Sequence, residues 1–507
     1  MRSIHYLICT ALVLGSGIVA AAATNCEDLA KLSLPDTTVT MAVELKPGAF
    51  VPPPSFSLRL AADDIDYRNF PAVCRVAATI RPTNDSVIKM EVLLPLASAW
   101  NGKFMALGNG GQAGQIYYHK MGVPLSRGYA VASTDTGHEG TSTDGTYALG
   151  HPEKVIDFGY RAVHEMTLKS KAVVAAYYGR QPTHSYWFGC STGGRQGLKE
   201  IQLYPNDFDG VIAGAPGNYA LTAVQSLWVA HAVHKEPGSY IPPEKYPAIH
   251  NAVLRACDAR DGVKDGVLEN PAVCKFDPSV LQCKGADGAD CLTGPQVEAA
   301  RKIYSPALNV RTKKEIIPGF APGSEMGWGF YGGAEPSPLM LAGLRYRVFK
   351  NPSWDYKSFN FDSDIDVVDR ESKVNDATDP NLKPFFGRGG KLLQYHGWND
   401  NLIPPQNSIN YFNQVVAASG GSKVNDSYRL FMVPGMAHCR GGDGTDRFDS
   451  ISALEQWVEK GKAPESMVAA HYTGETKDRT RPLCAYPKVA VYSGTGSTDD
   501  ATNFSCK

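Results

Sequence analysis

The cysteines constrain this chain more than any other feature of it. Of eleven, Cys9 lies in an amino-terminal apolar run, leaving Cys26, Cys74, Cys190, Cys257, Cys274, Cys283, Cys291, Cys439, Cys484 and Cys506. An even set of this size points to complete pairing in an oxidising compartment. The spacing points to local clips: Cys26 with Cys74, Cys257 with Cys274, Cys283 with Cys291, and Cys484 with Cys506. Cys190 and Cys439 are left for each other, although connectivity is not decided by sequence alone. Cys190 immediately precedes Ser191, and Cys439 immediately follows His438. A disulfide needs Cα atoms within about 7 Å, so this one would bring a serine and a histidine together from distant parts of the chain.

The amino terminus fits an oxidising destination. Met1, Arg2 and Ser3 precede an apolar run from Tyr6 to Ala23, and small residues 21 to 23 stand ahead of Thr24. This reads as a signal peptide over residues 1–23, removed from a secreted protein, or a periplasmic one in a Gram-negative host. No second apolar run of about 18 residues follows, so no membrane partner is expected. Lys+Arg 50 against Asp+Glu 51 gives a formal charge of −1, which offers no electrostatic case for nucleic acid. With 43% hydrophobic and 20% charged residues the chain is globular. Its 507 residues exceed what one core usually spans, so two domains or a large insertion are expected.

Strand signals run from Val87 to Leu94, Lys103 to Leu107, Tyr129 to Ser133, Ser185 to Phe188, Phe208 to Ala213, Lys391 to Tyr395 and Tyr428 to Val433. Helical spacing covers Arg161 to Tyr178 and Arg195 to Leu203. Alternating strands and helices predict an α/β class with a mostly parallel sheet, built from residues 24–216 and 386–507. Residues 217–385 carry prolines, aromatics and four cysteines with few clean strand signals, and read as an inserted domain.

Gly189-x-Ser191-x-Gly193 sits between a strand and a helix, the context of a nucleophile elbow. The Thr192 backbone N–H at the helix start points at charge developing on an attacked carbonyl. A serine needs a histidine base and an orienting carboxylate, and in this fold type the order is serine, acid, histidine. Asp400 and His438 each lie just beyond a strand's carboxyl end, where open α/β sheets place active sites. They are assigned as acid and base. His396 is the rival base, disfavoured by chain order, while Asp443 and Asp446 are rival acids on a glycine-rich loop.

Three segments make the chain recognisable: residues 189 to 196 (GCSTGGRQ), 396 to 404 (HGWNDNLIP) and 434 to 439 (PGMAHC). Together with residues 133 to 138 and 157 to 164, they resemble the tannase and feruloyl esterase family over nearly all of the mature chain. The resemblance implies an α/β-hydrolase core with an inserted lid domain. It also implies a triad of Ser191, Asp400 and His438, a Cys190–Cys439 bond beside it, and the other four disulfides proposed from spacing.

A second oxyanion donor should follow an early strand. The run from Gly108 to Gly114 offers Gly110 or Gly111. Asp135, His138 and His164 lack the paired spacing of a metal site and are expected to be satisfied polar residues. In the insertion, Asp258, Asp261 and Asp265 lie close together with glycines between them, a hard-oxygen set suited to calcium although not an EF-hand. The resemblance adds the carbonyls of Val263 and Val267 and implies a structural calcium ion, with no organic cofactor.

The expected reaction is ester hydrolysis through an acyl-enzyme on Ser191. The expected substrate is a small aromatic ester, with attachment to plant polysaccharide or tannin among the candidates. Trp228, Trp328, Phe330, Tyr331 and Trp354 could face its ring, although each is also a candidate for lid packing. Thr192 and Gln196 resemble feruloyl esterases and tannases rather than mono(2-hydroxyethyl) terephthalate hydrolases, where acidic residues are expected. Feruloyl esters rank first, galloyl esters second and the terephthalate monoester third. A serine peptidase and an inactive polyphenol-binding protein are the readings from other classes.

Overall fold

The computed structural model describes residues 23–53, 67–219 and 222–507, so the signal peptide expected over residues 1–23 lies almost entirely outside the described residues. Nine strands form one sheet: β1 (Thr37–Leu45), β2 (Val73–Ile80), β3 (Ile88–Pro95), β4 (Lys103–Leu107), β5 (Ala130–Thr134), β6 (His184–Cys190), β7 (Gly210–Gly214), β8 (Lys391–Gly397) and β9 (Tyr428–Val433). Their order is β1-β2-β3-β5-β4-β6-β7-β8-β9. From β5 to β9 every pairing is parallel, while β1, β2 and β3 join antiparallel at one side. This is the α/β-hydrolase architecture.

Successive side chains in a strand face opposite sides, and the core divides accordingly. Phe104, Ala106, Trp187 and Leu392 pack on one face with the helices α1 (Ala162–Tyr178), α2 (Thr192–Leu203) and α3 (Pro405–Ser419). Met105, Leu107, Tyr186 and Leu393 pack on the other, against Met121, Leu125, Leu454 and Trp457. With both faces covered, these strands are mostly apolar. That is why they were readable from sequence, and the observed bounds differ from expectation by a residue or two. The exception is α2, which starts at Thr192 rather than Arg195, directly after the elbow serine.

Between β7 and β8 the chain builds a second core from Val224 to Val368, including Trp328, Tyr331, Trp354 and Phe361. Ala377, Leu382 and Phe385, farther along, pack into the main sheet's core instead. Five disulfides are present: Cys26–Cys74, Cys190–Cys439, Cys257–Cys274, Cys283–Cys291 and Cys484–Cys506. Among the described residues no helix is long and apolar enough to cross a membrane.

Candidate active site

Ser191 follows β6 and precedes α2 with φ +63° and ψ −122°, a backbone conformation that L residues rarely adopt and that marks a sharp turn. The flanking glycines make it possible. A Cβ on Gly189 would lie 2.4 Å from the Gly193 carbonyl oxygen, and one on Gly108 would lie 2.5 Å from Gly193 Cα. The elbow and the loop after β4 therefore touch backbone to backbone.

That loop is held by the two side chains singled out beside the nucleophile. Gln196 clamps Asn109, accepting its backbone N–H at 3.0 Å and donating to its side-chain oxygen at 3.0 Å. Thr192 Oγ1 donates to the Gly111 carbonyl at 2.6 Å, and the Gly193 N–H donates to the Asn109 carbonyl at 2.8 Å. Among the described residues, the N–H groups of Thr192, Gly110 and Gly111 donate to no backbone or side-chain acceptor, so all three are free to meet an oxyanion. Gly111 has φ +55°, and a Cβ there would lie 2.2 Å from the Ser142 carbonyl oxygen, so this position admits only glycine.

Asp400 lies just past β8 and is fully buried. It accepts a hydrogen bond from His438 Nδ1 at 2.7 Å. Burial alone would raise its pKa. The charge of His438 and hydrogen bonds from His396 and His438 outweigh burial and hold the carboxyl well below the usual carboxylate range. His396 is also fully buried and contacts the same carboxylate oxygen at 3.0 Å. Asp446 accepts the Gly441 N–H at 2.8 Å, and Asp443 accepts from Asn399 at 3.2 Å. Of the three candidate acids, Asp400 is the one bonded to His438.

β6 and β9 are three places apart in the sheet, roughly 14 Å at the usual strand spacing. Cys190 and Cys439 nonetheless have Cα atoms 6.1 Å apart. The loop after β9 therefore folds back across β8 and β7, delivering the segment that carries His438 to the segment that carries Ser191.

The insertion packs onto the same loops. Asn401 donates to the Gly327 carbonyl at 2.8 Å, and a Cβ on Gly327 would lie 2.3 Å from the Asn401 side chain. A Cβ on Gly323 would lie 2.6 Å from Asn399 Oδ1. His250 joins Glu325 at 2.8 Å and approaches Asp443 at 3.6 Å. Of the five aromatic candidates, Trp328 and Trp354 are buried in the insertion's own core, and Trp228 packs against it while donating to the Lys302 carbonyl at 2.8 Å. Tyr331 is buried in the same core and Phe330 packs against it; burial, reinforced by the charge of Asp400, pushes the Tyr331 hydroxyl pKa up.

The remaining polar residues each have a structural partner, although Asp135 Oδ2 and His138 Nδ1 are buried without one among the described residues. Asp135 accepts the N–H groups of Lys89 and Gly137, and burial pushes it up to about 7. His138 bonds the Gln112 carbonyl at 2.8 Å, and burial lowers it to about 4. His164 pairs with Asp207 at 2.7 Å, with Glu200 at 3.6 Å.

The aspartate loop gathers carboxylate and carbonyl oxygens, the donor type a hard divalent cation takes, and its three aspartates accept backbone N–H groups of residues 263 to 269. Asp261, Asp265, Glu269, Val263 and Val267 line one small cavity, with Asp258 adjoining in sequence. Burial, reinforced by mutual repulsion, raises Asp261 and Asp265, and Glu269 reaches about 7. Arg481 pairs with Asp265 there, and Arg479 approaches the same carboxylate at 3.8 Å.

A family model described as tannase and feruloyl esterase matches residues 74–507. An uncharacterized esterase of Xanthomonas campestris pv. campestris is 38% identical over 558 aligned positions, covering 100% of this chain and 95% of the relative. A probable feruloyl esterase B-1 of Aspergillus flavus is 36% identical, covering 86% of each chain. Among solved structures, feruloyl esterase B from Aspergillus oryzae superposes with a TM-score of 0.85 at 31% identity, covering 95% of this chain and 99% of that one.

Proposed function

The chain belongs to the tannase and feruloyl esterase family and is a carboxylic ester hydrolase, and from that premise we propose that Ser191, His438 and Asp400 carry out its chemistry. His438 Nδ1 is committed to Asp400, which leaves Nε2 to take the Ser191 proton. Ser191 Oγ attacks the ester carbonyl, and N–H groups of Thr192 and of Gly110 or Gly111 stabilise the oxyanion. Collapse releases the alcohol, protonated by His438, and water activated by the same imidazole frees the acid. The observation that carries this reading is the 2.7 Å bond between His438 and Asp400, with Cys439 beside His438 tied by disulfide to Cys190 beside Ser191.

The favoured substrates are esters of hydroxycinnamic acids, supported by relatives named feruloyl esterase B. Galloyl esters are the second choice, and the terephthalate monoester the third. Secretion, or export to a periplasm, would place the enzyme where such esters occur on plant polysaccharides or tannins, and the five disulfides support that location. The test is a serine-directed phosphonate, with the adduct located by peptide mapping, alongside rates on methyl ferulate, methyl gallate, the terephthalate monoester and a peptide. Labelling at Ser191 with methyl ferulate fastest is expected. No adduct and intact esters would instead indicate a binding protein, and faster peptide cleavage a peptidase.

Asp258, Asp261 and Asp265, with the carbonyls of Val263 and Val267, would hold a structural calcium ion. A site saturated a hundredfold above its Kd stabilises by about 2.7 kcal/mol. Chelation should therefore lower Tm by a few degrees in the parent and leave Asp261→Asn unchanged. A Tm indifferent to both calcium and chelator would overturn the assignment.

A further inference from the structure

The bonds around Asp400 continue beyond His438 into the interior of the sheet. Oδ1 accepts the N–H groups of Leu402 at 2.8 Å and Ile403 at 2.9 Å, and Oδ2 accepts His438 Nδ1 at 2.7 Å and His396 Nε2 at 3.0 Å. A carboxylate offers about four lone-pair positions, so this one is saturated and cannot rotate. His396 Nε2 also lies 3.1 Å from the Ile403 carbonyl. A carbonyl only accepts, so the ring proton sits on Nε2. Nδ1 then carries a lone pair and receives the Ser408 hydroxyl at 2.7 Å. Ser408 Oγ in turn accepts Gln394 Nε2–H at 2.7 Å, and Gln394 Oε1 accepts the Tyr428 hydroxyl.

Every bond in this chain runs the same way, from Tyr428 through Gln394, Ser408 and His396 to Asp400. All five residues have no solvent exposure, and they come from β8 and the loop after it, from α3 and from β9. A buried chain satisfied at each link fixes one protonation pattern, because reversing any link leaves a buried group unpaired.

We propose that His396 is a positioning residue: a neutral imidazole, locked in the Nε2–H tautomer by Tyr428, Gln394 and Ser408, that holds Asp400 against His438. This rests on the Ser191, Asp400 and His438 reading. The titratable groups facing Asp400 are His438, His396 and, from the insertion, Tyr331. With the His396 donor gone, the carboxylate's charge falls on His438 alone. The His438 imidazolium is then better stabilised and gives up its proton only at higher pH.

The test compares the parent with His396→Ala and His396→Gln, the latter restoring an N–H donor of similar reach, using kcat, KM and the pH dependence of kcat on methyl ferulate. The alanine variant should lose on the order of tenfold or more in kcat with KM little changed. Its acid limb should move up by about half a pH unit or more, and glutamine should recover both. A purely structural role would not move the acid limb. Ser191→Ala, run in parallel, separates the two claims. Activity that survives it refutes the triad itself, whereas activity lost in it but unchanged in kcat and acid limb for His396→Ala overturns only the role of His396. Should the alanine variant not fold, the parent labelled with 15N-histidine decides. A neutral His396 with a bare Nδ1 and a protonated Nε2 from about pH 5 to pH 8 supports the proposal, and an Nδ1–H tautomer or a charged ring overturns it.

Discussion

Asp400→Asn should lower kcat about 10⁴-fold, the scale set by presenting a triad histidine with the wrong tautomer, while KM changes little. The reason is local. Oδ2 receives two histidine N–H donors and Oδ1 two backbone N–H donors, so an amide must turn its own N–H₂ toward donors on one side or the other. His438 escapes by moving its proton to Nε2, where it can no longer accept from Ser191. Kinetics on an aromatic methyl ester, with sites counted by phosphonate, measure the loss, and activity within tenfold of the parent would remove Asp400 from the mechanism. The native carboxyl is held below its unfolded pKa of about 3.9. Its contribution to stability is therefore full above that value and is lost as pH falls through the lower native one. The Tm gap between parent and variant should narrow only in strong acid.

Replacing Cys190 and Cys439 together by alanine should cost about 100-fold in kcat, the usual consequence of misplacing catalytic groups by about an ångström. The chain-entropy model assigns a closure of 249 residues about 5 kcal/mol, although measured values are often smaller. The Cys283–Cys291 pair is the control. It closes only 8 residues, worth about 2.5 kcal/mol in the same model, so its removal should lower Tm modestly and leave kcat alone. If the Cys190 and Cys439 double variant kept parental kcat, the folded-back loop would be held by packing and the bond would be only structural.

The parallel strands were legible because each is a mostly apolar run near glycine or proline, and the elbow because a glycine pattern fell between a strand and a helix. Chain order separated Asp400 from His396 as acid and base. It could not show that His396 serves the same carboxylate, since that depends on Gln394, Ser408 and Tyr428 meeting from three elements. The antiparallel β1 and β2 were overlooked although Thr37–Leu45 and Val73–Ile80 are rich in β-branched residues. Sequence also cannot say which way an aromatic ring points. Trp228, Trp328, Tyr331 and Trp354 all turned into the insertion's own packing.

The glycine-close seating of the insertion on residues 399 to 401 carries a consequence for redesign. Gly323 and Gly327 leave no slack against Asn399 and Asn401, and His250 reaches the loop that follows His438. The insertion wall and the loops it rests on thus form one mechanical piece rather than a flap on a hinge. Retuning that wall for a different acyl group would shift turnover together with affinity, and the two could be separated only by compensating changes in the loops themselves.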